Sequence, residues 1–454
     1  MYLYRKVLVL SLLMMSVGLG QIEDFNLGTN IFNHRNHSLN TNTIDFNFSR
    51  DLEFYEHIID DNGGSISSLA IDLDGDMDID IISADYFGDR FVWYENDGNE
   101  NFEEHVISYQ SQPRFVDARD MDGDLDIDIL TVTRSHNGGG GKLTWFENIG
   151  NGNFLEHIIL DENYGYKFWR LSLEDLDNDN DIDILFTTAN PGFIVWLENN
   201  GFQEFIIHSL PCDLGGSPTV ATNIHAIDLD NDGDKDILSA SQEGGFIIWF
   251  ENNGSEDFIL HTIPAPYGPR WVDPIDIDED GDLDILCAIN YANQTVWFEN
   301  IGNENFIENF IGSNIKPFSI RGSDLDGDMD IDIISADYSG DRFVWYENDG
   351  NENFIEYTIS SLGGPWDALP IDLDSDGDLD VLYSADNVII WFENLEGNSA
   401  SGDLNGDGEV NIFDIIVLVN LVFNSEYNES GDINGDDILN ITDLVLLVNL
   451  ILDN

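Results

Sequence analysis

The 454-residue chain carries 89 Asp and Glu against 16 Lys and Arg, a formal net charge of −73, which excludes nucleic acid and anionic membrane as partners for the surface as a whole. Hydrophobic residues make up 42% and aromatic residues 12%, which excludes a disordered acidic chain, because such chains lack aromatics. Cys212 and Cys287 are the only cysteines, so no disulfide framework is expected.

Arg5 and Lys6 precede an apolar run from Val7 to Leu19 that ends in small residues. The run is shorter than the ~20 residues of a membrane span and is flanked as a secretory signal is. Residues 1–20 are therefore predicted to be a signal peptide, the mature protein to lie outside the cell, on its surface or on a scaffold, and no membrane insertion is expected. Residues 21–50, rich in Asn, Phe and Thr without a period, are predicted to be an N-terminal extension.

From residue 51 a repeat takes over. Its fullest copy is Asp372-Leu-Asp-Ser-Asp-Gly-Asp-Leu-Asp380. Five carboxylates at alternate positions repel by roughly 1 kcal/mol per near pair even in water. A bound cation offsets that, and calcium takes 6–8 oxygen ligands from a loop that must turn sharply. Copies begin at Asp72, Asp120, Asp175, Asp228, Asp276, Asp324 and Asp372, spaced by 48, 55, 53, 48, 48 and 48 residues. The predicted calcium ligands are Asp72, Asp74, Asp76 and Asp80; Asp120, Asp122, Asp124 and Asp128; Asp175, Asp177, Asp179 and Asp183; Asp228, Asp230, Asp232 and Asp236; Asp276, Asp278, Asp280 and Asp284; Asp324, Asp326, Asp328 and Asp332; and Asp372, Asp374, Asp376 and Asp380. Loops four, five and seven have Gly233, Gly281 and Gly377 at the sixth position, and loop three has Asn180. Loops one, two and six have Met77, Leu125 and Met329 there, with Gly75, Gly123 and Gly327 two residues earlier. These three are expected to bind in a shifted register or more weakly.

Each loop is followed by a short β-type run, then by a run ending in Trp-aromatic-Glu-Asn or a close variant, then by Asn-Phe-x-Glu-His-x-Ile, then by a fourth run before the next loop. Four strands per unit of about 50 residues is the size of a propeller blade, and seven units predict seven blades. The seventh unit stops at Asn394 without its Phe-x-Glu-His strand, and a spare copy, Phe54-Tyr-Glu-His-Ile58, precedes the first loop. An N-terminal strand completing the last blade would close the ring and leave no open edge there. The Asp-x-Asp-x-Asp-Gly-Asp-x-Asp loops set in these β-type repeats resemble the FG-GAP/VCBS family of calcium-binding β-propellers over residues 51–397.

Residues 398–401 read as a linker. Beyond it, Asp403, Asn405, Asp407, Asn411 and Asp414, and again Asp432, Asn434, Asp436, Asn440 and Asp443, stand at positions 1, 3, 5, 9 and 12 of two 12-residue loops, the ligand spacing of an EF-hand with Asp for the last Glu. Apolar helices are expected over Ile415–Phe423 and Leu444–Leu452. Two loop–helix units of this kind resemble the dockerin module over residues 402–454, which implies calcium there too, and docking to a cohesin-type partner. Positions 10 and 11, Ile412-Phe413 and Ile441-Thr442, depart from the Ser-Thr common in cellulosomal examples, leaving open another cohesin class or an intramolecular role.

His57, His105, His157, His208 and His261 occupy equivalent places in successive repeats and read as repeat structure. No Gly-x-Ser-x-Gly, His-Glu-x-x-His or phosphate loop is present. The fourth run of each unit is more telling. Arg114, Phe115, Trp169, Arg170, Arg270, Trp271, Lys316, Phe318 and Trp366 fall there. Excluding Arg5 and Lys6, 14 basic residues remain, and Arg114, Arg119, Lys167, Arg170, Arg270, Lys316 and Arg321 are half of them. If this run is the inner strand, aromatic faces and cations converge at one channel end, suited to a carbohydrate bearing carboxylate or sulfate. The competing reading is that the aromatics pack between blades and the cations pair with Asp. The sequence thus predicts a secreted, non-catalytic calcium-binding propeller that recognises a polysaccharide and is anchored through its C-terminal module. A polysaccharide lyase or hydrolase of the same fold, and an integrin-like protein-binding adhesion module, remain the alternatives.

Overall fold

A computed structural model describes residues 54–61, 63–98, 101–134, 140–150, 152–189, 192–202, 204–211, 221–254, 258–302, 305–395, 404, 412–424, 431 and 439–453. The chain divides into two units, Met1–Arg50 and Asp51–Asn454, and all described residues belong to the second. The expected signal segment, the extension and the linker at 398–401 lie outside them.

Among the described residues, 28 strands form seven four-stranded antiparallel sheets. In the first complete blade β2 (Ser65–Ile71), β3 (Asp80–Asp85), β4 (Arg90–Asn96) and β5 (Phe102–Tyr109) pair in chain order. The inner strands of the other blades are β6 (Pro113–Arg119), β10 (Phe168–Glu174), β14 (Ala221–Ile227), β18 (Pro269–Ile275), β22 (Pro317–Ser323) and β26 (Pro365–Ile371). Each touches the next, and β26 touches β2, so the sheets form a closed ring. The second strand of every blade, such as Asp-Ile-Ile-Ser-Ala-Asp in β3, is buried at all its positions. It is covered on both faces by neighbouring blades, so its sequence reads as a near-continuous apolar run rather than an alternating one. Outer strands mix exposed and half-buried positions, as β1 (Phe54–Asp60) does up to its buried last residue.

The seventh sheet is β26, β27 (Asp380–Ala385), β28 (Val388–Asn394) and β1. The N-terminal strand therefore closes the last blade, with Phe54 opposite Asn394 and His57 opposite Trp391. His57 stacks on Trp391 at 4.2 Å between ring centroids, and its Nε2 lies 2.6 Å from Glu393 Oε2. His157, His208 and His261 repeat the arrangement with Glu147, Glu198 and Glu251. The Glu-His strand and the Trp-aromatic-Glu-Asn strand thus meet in fixed register in successive blades.

The Asn of that motif has its own partner. Asp80, at the ninth loop position and fully buried, accepts the Leu73 N–H at 3.1 Å and the Asn96 N–H at 2.8 Å. Asn148 and Asn394 donate from Nδ2 to the Leu73 and Leu325 carbonyls of the preceding blades, at 3.1 and 3.0 Å. The Asp ties loop to hairpin in every repeat, and Asn148, Asn252 and Asn394 extend the tie to the preceding blade, each bond satisfying a backbone group that burial would otherwise leave unpaired.

Every inner strand carries a bulge near its start, for example between Pro113 and Phe115, Pro269 and Trp271, Pro317 and Ser319, and Pro365 and Asp367. The extra residue leaves the ladder, and its side chain is re-aimed. In these four blades that residue is Arg114, Arg270, Phe318 or Trp366.

At the C-terminus, two helices span Ile412–Asn424 and Ile441–Asp453, each starting three residues earlier than the apolar pattern predicts. They pack against each other, and Ile415, Leu418, Leu444 and Leu447 are buried. The residue pairs repeat at a three-residue interval, one face of a helix. Among the described residues no helix is long and apolar enough to cross a membrane.

Candidate functional site

Inner strands of seven residues run from the bulges at one end of the channel to the Asp loops at the other, a separation of about 20 Å. The two ends are chemically opposite.

At the loop end, three carboxylates in each of five loops bring oxygens within 4.8 Å of one another: Asp72, Asp74 and Asp80; Asp120, Asp122 and Asp128; Asp175, Asp177 and Asp179; Asp228, Asp230 and Asp232; Asp276, Asp278 and Asp284. The loop backbone is the same throughout. Positions four and six are left-handed whether they are Gly75 and Met77 (φ 80° and 82°), Asn178 and Asn180 (61° and 73°) or Ser375 and Gly377 (62° and 104°). The sixth N–H donates to the first Asp in loops one, two and six (Met77, Leu125 and Met329, 3.0–3.1 Å). Gly233 and Gly281 do the same at 3.0 Å. The shifted register expected for loops one, two and six is therefore not what the chain adopts. Instead Met77, Leu125 and Met329 take the left-handed conformation, at about 1 kcal/mol each, with side chains 82%, 87% and 77% exposed.

Burial pushes Asp80, Asp128, Asp236 and Asp380 up to about 6, and Asp183, Asp284 and Asp332 up to about 7. Asp276, Asp324 and Asp372 each keep a buried Oδ1 without a hydrogen-bond partner. Clustered oxygens, an orphaned oxygen and unrelieved buried charge fit a hard divalent cation. In the C-terminal loops, Asp403, Asn405, Asp407, Asn411, Asp432, Asn434 and Asp436 lie outside the described residues. Asp414 and Asp443 fall in the first turns of the helices, and Asn440 just ahead of the second.

At the bulge end, Arg114, Trp169, Arg170, Arg270, Trp271, Phe318 and Trp366 line one cavity together with Ile66 and Thr222. The guanidinium groups lie over rings. Arg114 is 5.1 Å from both the Tyr86 and Trp169 centroids, Arg170 is 4.5 Å from Phe115 and 4.2 Å from Trp271, and Arg270 is 3.4 Å from Phe318. Stacking occupies the face of a guanidinium and leaves its in-plane N–H donors for another partner. Among the described residues, neither Arg114 nor Arg270 has an ion-pair partner. Arg270 Nη1 donates to Gln242 Oε1 at 3.1 Å. Arg170 lies 3.9 Å from Asp367 Oδ2, and its Nη1 lacks a hydrogen bond, as do Arg114 Nε and the indole nitrogens of Trp169 and Trp271. Burial, reinforced by neighbouring arginines, lowers Arg114 and Arg170 to about 10 and Arg270 to about 9. All three stay charged at neutral pH.

The competing reading holds for part of the set. Trp271 is 3% exposed and belongs to the inter-blade core, Phe115 packs against the core of blades two and three, and Arg321 pairs with Asp367 and Arg119 with Glu174. Lys316 sits in an exposed turn outside the cavity lining. Tyr86 and Arg134, whose guanidinium lies 4.9 Å from the Trp169 ring, are not among the site residues expected from the sequence. Both follow the second strand of their blades, and that common position was the available signal.

The FG-GAP-like repeat matches residues 72–131, 120–186, 175–239, 228–287 and 324–383, more than half of the chain. The chain belongs to the FG-GAP-like repeat family. No curated protein sequence matches this FG-GAP-like propeller. Among solved structures, BBS1N, crystallised in complex with ARL6DN, is similar with a TM-score of 0.53 and 11% identity, over 76% of this chain and 99% of its own. YCF48 from Cyanidioschyzon merolae is similar with a TM-score of 0.50 and 11% identity, over 74% of this chain and 98% of its own. At that identity the likeness concerns the propeller fold alone.

Proposed function

We propose that this protein is a secreted, calcium-stabilised propeller that binds an acidic polysaccharide at the bulged mouth of its channel, and that residues 402–454 anchor it, as a dockerin-like module, to a cohesin-type partner. One observation carries the binding reading. On a chain of net charge −73, three arginines converge on one cavity, two of them without an acidic partner among the described residues. A buried cation with free donors is satisfied by an oxyanion, and planar guanidinium groups match carboxylate and sulfate. The cavity has room for about 20 Å³, against the 10–15 Å³ or so that one water needs. That is space for one water or for one oxygen of an acidic group presented at the mouth from outside, and a polymer does not thread the channel. Calcium in the loops neutralises the far end and leaves the mouth as the basic feature.

The test is retention of the mature, calcium-loaded protein on immobilised polygalacturonate and on carrageenan, with neutral cellulose as the control. Wild type is expected to be retarded on at least one acidic matrix, and Arg114→Ala combined with Arg270→Ala to pass through unretarded while melting within 2 °C or so of wild type. Equal elution of both proteins from every matrix would end the binding reading. Appearance of unsaturated or reducing sugar ends during the run would favour the enzyme alternative instead.

A further inference from the structure

Beside the arginines lies a pair of tyrosines. Tyr267 and Tyr291 are 56% and 44% exposed, with ring centroids 5.2 Å apart and planes inclined by 31°. Their hydroxyls donate to the two oxygens of one carboxylate, Glu243 Oε2 and Oε1, each at 3.1 Å. The neighbouring Gln242 accepts from Arg270, so the tyrosine pair and the arginine seat are joined through two adjacent residues. Gly268 fixes their closeness. Its φ is 103°, and a Cβ there would lie 2.6 Å from Tyr291 Cβ, so only glycine lets the chain entering β18 pass beneath that ring. The phenol rings are held by a shared acceptor and stay open to solvent. Aromatic faces of this kind stack against the C–H face of a sugar ring, and Glu243 stands ready to accept sugar hydroxyls.

We infer that Tyr267 and Tyr291 form a sugar-ring platform next to the arginine seat, so that the ligand is an acidic oligosaccharide whose acid group enters the mouth while an adjoining pyranose lies on the tyrosines. This rests on the anion-seat reading and goes further, because a seat alone would take any oxyanion. The platform makes the site selective for a sugar that carries one.

Calorimetric titration of the calcium-loaded full chain separates the two statements, using inorganic sulfate, a tetragalacturonate and a carrageenan tetrasaccharide as probes. Wild type is expected to hold one of the tetrasaccharides more tightly than sulfate. Tyr267→Ala is expected to weaken that tetrasaccharide about three- to tenfold and to leave sulfate binding unchanged, with Tyr267→Phe closer to wild type because the ring remains. If both tetrasaccharides bind no better than sulfate, or Tyr267→Ala and Tyr291→Ala both leave the tetrasaccharide affinity unmoved, the platform is refuted while the seat stands. If sulfate and both tetrasaccharides fail to bind at all, the seat itself is wrong and the platform falls with it.

Discussion

Without a divalent cation, the ring is expected to be more stable in mild acid than at neutral pH. Asp80, Asp128, Asp183, Asp236, Asp284, Asp332 and Asp380 are at most 1% exposed, and burial raises each from 3.8 to about 6 or 7. A carboxyl whose pKa is higher folded than unfolded binds its proton more tightly in the fold. Its contribution is therefore fully present below pH 4 and is lost as pH rises through 6 to 7. At roughly 1.4 kcal/mol per pH unit, each aspartate costs on the order of 3 kcal/mol at pH 8, a sizeable part of the 5–15 kcal/mol that a folded domain has in hand. Proton uptake or a bound cation relieves that cost. Bound calcium would supply the missing charge and reverse the slope, because protons would then compete with it. The assay is thermal unfolding of the protein at pH 5.0, 6.5 and 8.0, in calcium and in EGTA. The expected pattern is a melting temperature in EGTA that falls from pH 5.0 to 8.0, and one in calcium that does not. An EGTA sample at least as stable at pH 8.0 as at 5.0 would refute the reasoning.

Loop position governs the response to mutation. Asp278→Asn, in a cluster with Asp276 and Asp284, should lower the melting temperature in calcium and leave it level or raised in EGTA, since it removes a proposed ligand but also about 1 kcal/mol of repulsion. Deleting residues 21–60 removes β1 and exposes the paired edge of β28; a lower melting temperature and concentration-dependent association in light scattering are expected. His57→Ala in the full chain should cost only about 1–2 kcal/mol by denaturant titration, the stack and one hydrogen bond. His225, lowered to about 4 by burial and by Arg321 and Arg170, is held neutral. Its contribution is present above pH 6.5 and lost as pH falls towards 4, so calcium-loaded His225→Gln should lose less stability than wild type over that interval.

The ring was legible in the sequence because it is written seven times. Loop spacing set the blade count, and the unpaired Phe-x-Glu-His strand at one end matched the blade lacking one at the other, a pairing the structure makes residue by residue. The positions of Arg114, Arg270, Phe318 and Trp366 were legible as a cluster, but the bulges that turn them into the mouth were not. A bulge is a count of residues against a partner strand, and the partner is known only after folding. For the same reason Trp271 could not be told from Trp366 in advance. One fills the space between blades, and the other donates from Nε1 to Asp386 Oδ1 at 2.6 Å. Met77, Leu125 and Met329 misled because local preference argues for glycine wherever φ is positive. The hydrogen bonds of the loop override that preference at modest cost.

The seat at the channel mouth is tested most directly by the anomalous scattering of selenate soaked into crystals of the calcium-loaded protein. The expected result is one strong peak within hydrogen-bond reach of Arg114, Arg170 and Arg270, lost in crystals of Arg114→Ala combined with Arg270→Ala. A mouth without selenium density, at a concentration that populates other surface sites, would contradict it.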